Sequence, residues 1–95
     1  MGKASLDVVN EIRKVFTISY LDPSAIRVLL GSGRLVLSGI VQRLPGYASP
    51  ILARTLVKLE LDLASIREVR MIRWNLENWS NEGGQWRPVA TRRPP

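Results

Sequence analysis

Ala25-Ile26-Arg27-Val28-Leu29-Leu30-Gly31-Ser32-Gly33-Arg34-Leu35-Val36-Leu37-Ser38-Gly39-Ile40-Val41 reads as two strands joined by a tight turn. On the first arm Ile26, Val28 and Leu30 alternate with Arg27 and Leu29. On the second, Leu35, Leu37 and Val41 alternate with Arg34, Val36, Ser38 and Ile40. A period of two puts one set on each face of a sheet. Gly31 and Gly33 are placed to supply the positive φ angles that a short hairpin loop requires. Gly39, inside the second arm, marks a bulge or the close approach of another element.

Working outward, residues 5–17 carry apolar side chains at three- and four-residue spacing (Val8, Val9, Ile12, Val15, Phe16), which predicts an amphipathic helix with Ser5 as its N-cap. Asp22-Pro23 ends it, because a residue before proline is pushed out of the α region. Downstream, Pro45–Pro50 is a loop. Ser49-Pro50 then opens a second helix over residues 50–64, with Leu52, Leu56, Leu59 and Leu63 as its apolar stripe. A third strand follows at Val69–Leu76. Its phase works only with an irregularity near Met71, after which Ile72, Trp74 and Leu76 share a face and Arg73 and Asn75 face water.

From Asn78 onward the chain turns polar, with glycine, arginine, proline and tryptophan. Glu82-Gly83-Gly84-Gln85 can turn a small hairpin that brings Trp79 near Trp86; otherwise the segment is a mobile tail, as the Arg92–Pro95 end is expected to be. The chain therefore divides into an α+β domain at residues 1–78 and an extension at 79–95 that is at least partly disordered. The expected fold is a two-layer αββαβ sandwich. Two helices pack on one face of a three-stranded mixed sheet, with an irregular C-terminal tail.

This order resembles the BON domain, a small module named for bacterial osmotically induced and nodulation proteins. The residues that carry the likeness are Leu21-Asp22-Pro23-Ser24-Ala25-Ile26-Arg27-Val28 and Gly33-Arg34-Leu35-Val36-Leu37-Ser38-Gly39-Ile40-Val41. They match an Ile-x-Val strand, a turn glycine, and alternating aliphatics running into Ser-Gly-x-Val. The likeness covers about residues 6–77. Ser65-Ile66 stands where the family has Gly-Val, and the tryptophan-bearing extension lies outside the pattern. The resemblance implies an αββαβ fold and a non-enzymatic role, attaching to phospholipid membranes or partner proteins, often at the bacterial envelope.

The chemistry available from the residues agrees with a non-enzyme. The 95 residues hold no cysteine and no histidine, which removes disulfides, thiolate metal sites and the usual general base at neutral pH. Ser24, Ser32 and Ser38 have no candidate base beyond lysine or carboxylate, and Gly31-Ser32-Gly33 opens onto a strand where a phosphate loop opens onto a helix. Glu60 and Asp62 point to different sides of their helix and read as solvated. No catalytic residue, metal ligand or cofactor is expected. The N-terminus lacks a signal peptide's unbroken apolar core, and no run approaches the roughly 18 apolar residues of a membrane span. A cytoplasmic protein is expected, with envelope association still open.

The net charge is +6, with eleven arginines and three lysines. The excess is +4 over residues 1–80 and +2 over residues 81–95, so it is spread along the chain. It favours anionic partners. The candidate site is the sheet face away from the helices, where Leu29, Val36 and Ile40 share a surface with Arg27, Arg34 and Ser38. Three aliphatics together call for a cover: a partner, a second copy in a homodimer through the open sheet face, or the tail's Trp79 and Trp86. With Arg27, Arg34, Arg73 and Arg87 as anion contacts, the leading reading is docking on a protein partner or an anionic phospholipid surface. The alternative is a nucleic-acid binder using Arg67, Arg70, Arg73 and the tail, with tryptophans stacking on bases.

Overall fold

Gly31 pairs with Arg34, so the turn between the two arms is only Ser32-Gly33, at φ 53° and 80°. Two successive left-handed residues match the twist of the strands they join. The second positive φ therefore comes from Ser32, and the expectation that Gly31 supplies it is corrected. A computed structural model describes residues 2–89. In chain order these are α1 (Gly2–Ile18), a 3-10 turn (Pro23–Ala25), β1 (Ile26–Gly31), β2 (Arg34–Gly39), α2 (Ala53–Ala64), β3 (Met71–Leu76), β4 (Trp79–Glu82) and β5 (Gln85–Pro88). β2 is central, antiparallel to β1 and parallel to β3. The fold is α+β: an αββαβ unit with a second, two-stranded sheet appended.

The core forms between the helices and one face of this sheet. Val8, Ile12 and Phe16 of α1 and Leu56, Leu59 and Leu63 of α2 pack with Ile26, Leu35 and Leu37. Burying such a side chain contributes about 1.5–3 kcal/mol each relative to leaving it in water. Both helix starts differ from expectation. α1 runs from Gly2, which places Ser5 inside the helix and not at its cap. α2 begins at Ala53, with Leu52 as an N-cap that makes no side-chain bond. Ser49 and Pro50 are held back from the helix because their carbonyls accept hydrogen bonds from Arg43, at 3.0 Å from Nε and Nη2 respectively. Nη1 of the same guanidinium donates to the Ser19 carbonyl at 3.0 Å, tying the loop to the end of α1.

α1 closes with a Schellman pattern. Leu21 N–H donates to Phe16 C=O and Tyr20 N–H to Thr17 C=O, both at 2.9 Å. Tyr20 occupies the left-handed position at φ 61°, where glycine is usual; a bulky residue there costs about 1–2 kcal/mol. The next residues turn into the hairpin through Asp22, whose Oδ1 accepts from the Ser24 amide at 2.9 Å and the Ser24 hydroxyl at 2.7 Å. These bonds hold the Asp22 carboxyl below the usual carboxylate range.

At the start of β3 the expected irregularity takes a definite form. The N–H groups of Arg70 and Met71 both donate to the Gly33 carbonyl, at 2.8 and 3.0 Å. That double donation shifts the phase, so buried Val69 is followed by Ile72, Trp74 and Leu76 on the core side.

The extension is the largest departure. Trp79–Pro88 is an antiparallel hairpin turned by Gly83 and Gly84, both at positive φ, and it belongs to the core. Trp79 and Trp86 are 8% and 7% exposed, and the Trp86 ring meets Trp74 edge-on at 4.8 Å. Asn78 fixes the approach. Its Oδ1 accepts from Val41 N–H at 3.0 Å and its Nδ2 donates to Val41 C=O at 2.8 Å, completing one step of a ladder with a side chain. The packed unit thus extends at least to Pro88, ten residues beyond the expected boundary at 78. The expected mobile end at Arg92–Pro95 lies outside the described residues.

Candidate functional site

Register places nine residues on the sheet face opposite the helices. Across β1, β2 and β3 the rows are Arg27, Ser38, Asn75; then Leu29, Val36, Arg73; then Gly31, Arg34, Met71. Each row holds one residue per strand, because directly paired residues share a face. Arg27, Arg34 and Arg73 surround an apolar centre formed by Leu29, Val36 and Met71. Leu29 is 58% exposed and Met71 57%, so this centre lies open to water. From strand spacing and rise, the three arginine Cα atoms stand about 8–14 Å apart.

The face is positive and unpaired. No acidic residue occurs among its nine positions. Among the described residues the ion pair present is Lys58–Asp62 at 2.9 Å, on α2, so none of the three arginines has a carboxylate partner. An exposed guanidinium without one keeps its five donors available for an external anion.

The residues singled out from the sequence separate into two groups. Leu29, Val36, Arg27, Arg34 and Arg73 come together as expected. Ile40 follows the end of β2, partly exposed, with its N–H bonded to the Ala25 carbonyl at 3.1 Å. Trp79 and Trp86 do not cover this face. They pack on the helical side, against α2 and Trp74, because their hairpin presents Trp79, Asn81 and Trp86 on one side, toward Glu60. Glu60 is accordingly no solvated carboxylate: Oε2 accepts from Trp74 Nε1 and Oε1 from Asn81 Nδ2, each at 3.3 Å. Asp62 does stay on the solvent side, in an exposed pair with Lys58. Arg87 lies on the outer side of the hairpin, where Nη2 donates to Gln85 Oε1 at 3.3 Å. It stands apart from the other three arginines.

Burial of Trp79 and Trp86 also withdraws the rings that base stacking needs, and the sheet face carries no aromatic residue. Met71 is the member sequence reading missed, since its face depends on the Gly33 contact and no local pattern reports that.

Among the described residues, no helix is long and apolar enough to cross a membrane. Compared with family models, curated proteins and solved structures, the chain matches none.

Proposed function

We propose that this chain is a non-enzymatic binding module of BON type, whose uncovered sheet face docks on a negatively charged surface, a phospholipid membrane or a partner protein. One observation carries the reading. Three arginines without carboxylate partners ring an apolar centre on the face of the three-stranded sheet that no element of the described chain covers. In such a contact the guanidinium groups engage phosphates or carboxylates while Leu29, Val36 and Met71 leave water. Near an anionic leaflet each basic residue contributes about 1 kcal/mol. The resemblance of residues 6–77 to the BON pattern supports the same role.

Sedimentation with anionic and with neutral vesicles tests the phospholipid form. Co-sedimentation with anionic vesicles alone, weakening as salt rises, is the expected result. Equal recovery in both supernatants rejects the phospholipid form. The protein form predicts that partners captured on the wild-type face are lost when Arg34 and Arg73 are reversed in charge. Capture that survives both reversals counts against it.

A further inference from the structure

A second surface lies in the helical layer, where the chain leaves α1 and approaches α2. Tyr20 is held there in a left-handed backbone conformation, φ 61°, that glycine adopts freely and an aromatic residue resists. Its ring stacks on Tyr47 with centroids 5.0 Å apart and planes tilted by 31°. Tyr20, Tyr47 and Ile18 each leave half or more of their surface in water. Beside them runs an open cleft of about 470 Å³, walled by Ile18, Tyr20, Arg43, Arg54, Thr55 and Lys58. No carboxylate lines it. Arg43 is committed to three carbonyls and Lys58 to Asp62. Arg54 is exposed, and among the described residues its guanidinium has no ion-pair partner.

We infer that this cleft docks a peptide segment of a partner protein, one with an apolar anchor residue flanked by carboxylates. The anchor packs against Ile18 and the Tyr20 ring, which Tyr47 backs, and the carboxylates face Arg54 and the charge of Arg43. Charge complementarity selects an acidic segment over a basic one. Tyrosine and arginine are the residue types that concentrate binding energy at protein interfaces, and tyrosine offers a large rigid surface with few rotamers to freeze. The backbone adds to this. Glycine would close α1 with less strain, so the ring at position 20 stands against the preference of its own helix end. The cleft and the open sheet face lie in different layers, so this assignment stands apart from the function proposed above.

Selection of a displayed random-peptide library against the whole chain tests it, with Tyr20→Gly and Arg54→Glu as counter-targets and thermal unfolding of each variant as the control. Tyr20→Gly is expected to unfold at the wild-type temperature or above. Enriched peptides are expected to carry an apolar residue next to Asp or Glu. They should bind wild type at least about tenfold more tightly than either variant by fluorescence anisotropy. Arg34→Glu, on the sheet face, should leave that binding unchanged. Enrichment of basic or uncharged peptides, no enrichment over the counter-targets, or binding to either variant as tight as to wild type would overturn the inference. So would a Tyr20→Gly protein less stable than wild type, since the ring would then be serving the fold.

Discussion

An alanine at position 39 would place its Cβ 2.3 Å from the Ala25 carbonyl oxygen, on a backbone at φ +117°. Neither the strand nor the 3-10 turn before it can move away without breaking the Ile40 to Ala25 bond. Gly39→Ala is expected to cost about 2–3 kcal/mol. Gly46 also has a positive φ, 92°, yet nothing lies within 4 Å of its Cβ position, so Gly46→Ala should cost about 1 kcal/mol. Urea unfolding of the two variants gives the ranking, and equal midpoints would refute the close contact. Asp22 supplies a pH signature at the same scale. Its carboxyl titrates below its ordinary range when folded, chiefly through the Ser24 hydroxyl and then the Ser24 amide. The unfolded chain therefore binds the proton first, at a pKa of about 3.9, and stability rises with pH across this window. The contribution is complete above that value and is lost as pH falls through the lowered folded one. Asp22→Asn should flatten the acid limb of a stability profile below pH about 4. An unchanged limb would show that the Ser24 bonds do not act on it.

At the scale of elements, the β4–β5 hairpin behaves as part of the domain. Trp86→Ala would empty a buried ring site between α2 and Trp74, and such truncations cost about 3–5 kcal/mol. That is a large share of the total for a chain of this size. Asn78→Ala would leave the N–H and C=O of Val41 without partners, at about 1–3 kcal/mol. Thermal unfolding followed by tryptophan fluorescence measures both, and wild-type unfolding temperatures would mean the hairpin is only loosely attached. Strand periodicity made β1, β2 and, on the outer side of β3, Arg73 and Asn75 legible from the sequence, because alternation is a local property. The helix starts were not legible. Ser49-Pro50 has the local chemistry of a helix opening, and it is overridden by Arg43, a side chain six and seven residues away whose choice of carbonyls only the folded chain reveals. The destination of Trp79 and Trp86 was hidden for the same reason. A Gly-Gly turn announces a hairpin, but not the surface it packs against.

Across the whole molecule, the helices and the appended hairpin cover one side of the sheet and leave the other to Leu29, Val36, Met71 and three arginines. Most of that face could be listed from alternation alone. Its neighbours could not, since the tail offered as its cover packs on the far side, and Tyr20 and Tyr47 lie 27 positions apart with nothing local to pair them. The asymmetry gives the central claim its test. Arg34→Glu with Arg73→Glu reverses two charges on the open face, while Arg13→Glu with Lys14→Glu makes the same net change on exposed positions of α1. Co-sedimentation of both double variants with anionic vesicles, beside the wild type, separates the face from net charge. The open-face pair should lose at least about tenfold in vesicle affinity, at about 1 kcal/mol for each basic residue removed, and the α1 pair should retain most of it. Equal losses from the two pairs would contradict docking through the sheet face.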